Sequence, residues 1–105
     1  MGLFSQVVIG VTRKHQNEIE DIFKKYDLDL EFKESDSWQS DWVTYNAKCL
    51  KWYRQYKDVK EVNEYIQSIG DENSFIVAID EDGDIHSTIH NWGRFVIPQT
   101  KLTIL

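Results

Sequence analysis

The stretch SWQSDWVTYNAKCLKWYRQYKDVK, residues 37–60, holds three of the four tryptophans, three of the five tyrosines and the single cysteine. It changes character twice. Residues 34–41, ESDSWQSD, are polar and turn-rich, so Trp38 is expected in a loop. Val43, Tyr45, Ala47 and Cys49 then alternate with Thr44, Asn46 and Lys48, the period of a half-buried strand, which assigns Cys49 to the core face. Beyond Tyr53 the period lengthens: Val59, Val62, Ile66 and Ile69 form one stripe of a helix over residues 58–69. Asp58 and Glu61 have the spacing of a capping box at its start, and Gly70 stands at its end. The middle of the chain is thus a strand leading into a helix, and the fold follows from what flanks it.

Upstream, residues 4–12, from Phe4 to Thr12, form a short apolar run, β-branched at Val7, Val8, Ile9 and Val11 and without alternation, as expected of a strand covered on both faces and central in its sheet. Ile19, Ile22, Phe23 and Tyr26 follow at helical spacing within residues 13–27. Leu28, Leu30 and Phe32 alternate with Asp29, Glu31 and Lys33, which predicts a strand forming a hairpin with residues 43–49. Downstream, residues 75–79 read as a strand, Asp82-Gly83 as a two-residue turn and residues 85–92 as the antiparallel return. Residues 95–104 add a last strand, held to an edge by Pro98. The order predicts an α+β fold, a ferredoxin-like βαββαβ with an additional C-terminal hairpin or edge strand, its two helices on one face of an antiparallel sheet.

With 105 residues, 41% of them hydrophobic, the chain is expected to form a single domain, residues 1–105. Its net charge of −6 disfavours nucleic acid and anionic membranes, which are themselves negative. One cysteine makes no internal disulfide and fits a reducing compartment. The apolar run near the start is about strand length and lacks the basic region of a signal peptide, so the expected location is the cytoplasm.

Most chemical motifs are missing. Neither GxGxxG nor GxxxxGK[ST] occurs, which removes the common phosphate-cradling loops. Asp80, Glu81, Asp82 and Asp84 surround Gly83, but the glycine is misplaced for a calcium loop, so they read as an acidic hairpin tip. His86 and His90 share a predicted strand face about 13 Å apart, too far to chelate one metal, and His15 lies elsewhere. A core-facing Cys49 is expected to be inert. No catalytic residue, metal or cofactor is assigned.

What remains is positive charge beside aromatic groups. Lys48, Lys51, Arg54, Lys57 and Lys60 face a single acid, Asp58, in an otherwise acidic chain, and Trp52, Tyr53 and Tyr56 interleave with them. Such a mixture suits phosphate contact with base stacking. Equally, lysine stems can cover aromatic core edges while their heads pair with helix acids. Trp38 and Trp42 flank the polar loop, where large aromatics serve either as interface anchors or as the edge of the core.

The run WVTYNAKCLKWYRQYKDVKEVNEYI, followed by SFIVAIDEDGDI, resembles small proteins encoded in bacteriophage genomes. The matching residues are Leu50, Lys51, Trp52, Tyr53, Tyr56, Val59, Val62, Phe75, Ile79, Glu81 and Asp82. Those proteins carry no assigned activity, and the resemblance implies a phage accessory protein that binds a host factor in the host cytoplasm. The leading expectation is therefore a non-enzymatic protein that binds and inhibits or redirects a host protein, a defence component being one candidate. The residues expected to carry binding are Trp38, Trp42, Lys48, Lys51, Trp52, Arg54 and Tyr56. One alternative is a protein that sequesters a nucleotide or signalling nucleotide through the patch at residues 48–60. The other is a small enzyme using the sheet face of His86 and His90. A homodimer through an edge strand is compatible with each.

Overall fold

β1 (Ser5–Thr12) is the strand on which the others assemble. In the computed structural model, which describes residues 4–36, 41–53, 55–90, 92, 96–97 and 103–104, it pairs antiparallel with β3 (Trp42–Leu50) on one side and β4 (Ser74–Asp80) on the other. Val7, Val8, Ile9 and Val11 are all completely buried, as the unalternating run requires of a central strand. β2 (Lys33–Asp36) lies outside β3, and β5 (Ile85–Ile89) lies outside β4. The result is a five-stranded antiparallel sheet of order β2-β3-β1-β4-β5, which departs from the four-stranded ferredoxin-like expectation by carrying a fifth strand outside β4. β5 extends it because the chain after Gly83 turns back along β4. β6 (Val96–Ile97) and β7 (Thr103–Ile104) pair with each other in a separate two-stranded sheet, and Pro98 lies outside the described residues.

The two helices share one face of the sheet. α1 (Gln16–Lys25) buries Ile19 and Phe23, and α2 (Lys57–Ile69) buries Val59, Val62 and Ile66. These pack with Val7, Ile9, Val11, Val43, Tyr45, Ala47, Ile76 and Ala78 in one core. Each large side chain so buried contributes about 1.5–3 kcal/mol, which outweighs the marginal propensity of helices this short. The opposite face holds a second, smaller cluster of Val8, Trp42, Phe75, Val77 and Ile79, against which Trp92 packs.

Three local expectations are corrected. Leu28, Leu30 and Phe32 do not form a strand: Leu28–Leu30 is a 3-10 turn entered through Asp27, whose φ of 59° is left-handed. The amide of Phe32 donates to the carbonyl of Leu28, which places those two on the buried side and leaves Leu30 69% exposed. Pairing starts instead at the polar residues of β2. The capping box at α2 does not form either. The helix begins at Lys57 with Tyr56 as its N-cap, Asp58 Oδ1 accepts from the amide of Val59, and Glu61 turns to α1. Finally, Cys49 is exposed. Between Ser5 and Val7 the β1–β3 register slips by one, so an extra β3 residue bulges out beyond Ala47 and the alternation inverts. Leu50 and Trp52 thereby return to the core in place of Cys49.

The far end of α2 is closed by side chains from the next elements. Asn73 Nδ2 donates to the carbonyl of Ile69, Ser74 Oγ to those of Ile66 and Gly70, and Nε2 of His90 lies 3.1 Å from the same Ile66 carbonyl. Carbonyls of a last helical turn lack partners within the helix, so these bonds satisfy groups otherwise left unpaired. Gly70 leaves the helix at φ 86°, a conformation that favours glycine.

Candidate functional site

The inversion at the bulge decides which side chains reach the surface where β3 runs into α2. Lys48 is exposed, and beyond the bulge so is Lys51, on the opposite phase from buried Trp52. Tyr53 is half-buried, Tyr56 is 40% exposed, and their rings meet edge to face at 5.3 Å. A short turn brings them together, the amide of Tyr56 donating to the carbonyl of Tyr53 at 3.1 Å. Lys57 and Lys60, on the first turns of α2, are exposed as well.

A residue that the sequence reading left in the central strand completes this patch. Phe4, just before β1, is 40% exposed, and Nζ of Lys51 sits 5.7 Å from the centroid of its ring, within cation–π range. Its position at the very end of an apolar run is the one signal that would have found it: the last ring of a central strand escapes the layers that cover the rest. On its other side the amide of Phe4 donates to Glu81 Oε1 at 3.0 Å. Ser5 is registered against both Leu50 and Asp80, so Phe4 separates the basic exit of β3 from the acidic β4–β5 turn. With neighbouring strands about 4.8 Å apart, opposite charges stand about 10 Å from each other across it. In that turn Asp80 Oδ1 accepts from the amides of Asp82 and Asp84, so at least one of its acids is occupied in shaping the loop.

Two expected contact residues are corrected. Trp52 is 3% exposed, with its ring edge-on to Phe32 at 5.8 Å, and presents no face for stacking. Its indole N–H has no partner among the described residues. Trp42 is 8% exposed and packs in the second cluster, 6.1 Å from Phe75. Its register opposite Thr12 places it within the sheet rather than on the loop. Trp38 and Arg54 lie outside the described residues, as does the side chain of His86. Of the seven expected residues, Lys48, Lys51 and Tyr56 are thus seen at the surface.

No family model matches this chain, and no curated protein or solved structure does either. The function has to be read from the geometry. No helix among the described residues is long and apolar enough to cross a membrane, and no group of three His, Cys, Asp or Glu residues among them is placed to hold a metal ion.

The other concentrations of titratable groups tie the layers together. Tyr65 on α2 donates to Glu18 Oε1 on α1 at 2.9 Å, and His15 Nδ1 lies 2.9 Å from the same oxygen. Reciprocally, Tyr26 and Lys25 donate to Glu61 Oε1 on α2 at 2.7 and 2.9 Å. Tyr45 in β3 donates to Glu20 on α1 at 2.5 Å. The bond from His15, then that from Tyr65, lowers the pKa of Glu18; those from Lys25 and Tyr26 lower that of Glu61. Burial, reinforced by the partner carboxylates, pushes the phenols of Tyr45 and Tyr65 above the ordinary tyrosine range. Phenols so raised stay protonated at neutral pH and act as donors, so these bonds fasten α1 to α2 and to β3.

A prediction follows for acid. Because Glu18 and Glu61 titrate lower when folded, their contribution is full above the ordinary glutamate pKa and is lost as pH falls through the depressed folded-state values. The Glu18→Gln, Glu61→Gln double variant should melt lower than wild type at neutral pH, and its melting temperature should fall less steeply on acidification. Parallel acid limbs in a melting series would remove this role.

Proposed function

We propose that this is a non-enzymatic binding protein of the small phage-accessory kind, which engages a host protein through Lys51, Phe4, Tyr53, Tyr56 and Lys57. The observation that carries the reading is the exposed pair Phe4 and Tyr56, the first beneath Lys51 and the second against Tyr53. Exposed aromatic rings beside a fixed cation are what interface hot spots are made of, and they gain most when a partner dries them.

The charges about Phe4 select the partner's chemistry. A free polyanion drawn to Lys51 and Lys57 would meet the Asp80–Asp84 turn about one Debye length away, whereas a protein segment carrying acids on one side and a base on the other matches both halves. Burial of Trp52 also takes from the nucleotide reading its largest stacking surface. His90, engaged with the Ile66 carbonyl, gives no support to an enzyme built on the sheet face of His86 and His90. In this reading β2-β3-β1-β4 with α1 and α2 is a ferredoxin-like unit to which β5 is added, and the sheet end is the rigid platform beneath the contact.

The test is capture from bacterial lysate by tagged wild-type protein beside a Lys51→Glu, Tyr56→Ala variant, with small molecules analysed in the same eluates. A stoichiometric protein should be retained by wild type and its affinity reduced about 30-fold or more in the variant, the loss of one aromatic hot spot at about 2 kcal/mol. Retention unchanged by the double substitution, or a nucleotide eluting without protein, would overturn the reading.

A further inference from the structure

His90, just past β5, and Trp92 serve opposite faces of the sheet. Nε2 of His90 lies 3.1 Å from the carbonyl of Ile66 on α2; a carbonyl only accepts, so this nitrogen carries the proton and donates. Trp92 packs on the other face, against Val8, Trp42, Phe75, Val77 and Ile79. Those five belong to β1, β3 and β4, and Trp92 is the one hydrophobic side chain from outside the sheet that packs on them among the described residues. The chain passes from the helix side to the other through His90, whose φ of 65° is left-handed. That conformation is costly for a residue with a Cβ and persists where its surroundings hold it. The helix does not need the His90 bond. Ser74 Oγ already donates to the same carbonyl at 2.9 Å, and Asn73 and Ser74 supply donors to Ile69 and Gly70. What the bond fixes is therefore the chain that leaves β5.

We propose that His90 and Trp92 form a clasp over the end of the sheet, with His90 as its latch. In the closed state the bond to the Ile66 carbonyl holds the left-handed turn that lays Trp92 on the second cluster. In the open state His90 relaxes to ordinary backbone and the indole leaves, uncovering apolar surface of β1, β3 and β4. One hydrogen bond and the partial burial of one indole favour closure, and the backbone strain at His90 opposes it. Opening breaks no hydrogen bond of the sheet or of α2, so it is a local event that costs far less than unfolding. The clasp thus sets how much of this face meets solvent, independently of the surface at Phe4 and Tyr56.

Fluorine NMR of the whole chain labelled with fluorotryptophan tests this, Trp92→Phe assigning the Trp92 signal. His90→Ala removes the bond and keeps the cost of the left-handed turn, whereas His90→Gly removes both. The Trp92 signal should move toward its solvent-exposed position, with a larger solvent-isotope shift, and further in His90→Ala than in His90→Gly. Binding of anilinonaphthalene sulfonate, a probe of exposed apolar surface, should rise several-fold in the same order. Melting temperatures should stay near that of wild type in both, because Asn73 and Ser74 still close α2. An unchanged Trp92 signal in His90→Ala would overturn the proposal. So would equal movement in the two variants, or a large fall in melting temperature with Trp92 still in place below the transition.

Discussion

Gly10→Ala is expected to cost about 3 kcal/mol, at the upper end of what one added methyl does in a packed core. Gly10 lies in β1 opposite Phe75 of β4, and a Cβ built on it would stand 2.0 Å from Cε2 of that ring, with Cζ and Cδ2 also within 3 Å. The ring lies across the glycine. Phe75 cannot simply withdraw, because it is completely buried among Val8, Trp42, Val77 and Ile79. The conformation of Gly10 is not the obstacle, since its φ is not in the left-handed region. Were space available, alanine would stabilise the strand by about 0.5–1 kcal/mol through lower chain entropy. The sign of the change therefore separates the two accounts. Urea denaturation should show a large loss, and Phe75→Leu introduced with Gly10→Ala should recover part of it, a coupling that appears only between groups in contact. Stability equal to or above wild type in the single variant would show that the ring moves aside freely.

What could be read beforehand divides along a physical line. A central strand and amphipathic helices impose their own periods, and β1, α1 and α2 were legible because the environment of each is uniform along its length. Leu28, Leu30 and Phe32 were misread because apolar residues at i, i+2 and i+4 satisfy a strand, while i and i+4 alone satisfy a turn; the exposure of Leu30 decides between them, and only tertiary packing sets it. Cys49 was misplaced for a related reason. A bulge is a property of two strands in register, and the slip beside Ser5 leaves no mark within residues 42–50 that alternation can detect. That slip governs the candidate site, since it turns Trp52 inward and Lys51 outward. The lysines and Tyr56 were found from composition, but Phe4 reaches Lys51 only through the β1–β3 pairing.

The same dependence of site on core gives the largest expected effect. Phe23 of α1 is 1% exposed, stacked on Phe32 at 4.7 Å and edge-on to Tyr45 at 5.2 Å, and Phe32 in turn meets Trp52. Four rings thus run from β3 through α1 to the connector that carries Lys51 and Tyr56. Phe23→Ala leaves a cavity at the middle of this chain and should cost about 3–5 kcal/mol. Against a total stability of about 5–15 kcal/mol for a domain of this kind, the variant should melt far below wild type, by about 4–8 °C for each kcal/mol. Phe23→Leu, which refills most of the space, should lose much less. The consequence for binding is separable from unfolding. Below its melting temperature, Phe23→Ala should still bind the partner more weakly than Phe23→Leu, because a loosened Phe32 no longer fixes Trp52, and the neighbours of Trp52 must then be ordered at the moment of contact. Equal affinity in the two folded variants would mean that the connector is held by its own turn at Tyr53–Tyr56, and that the aromatic chain serves stability alone.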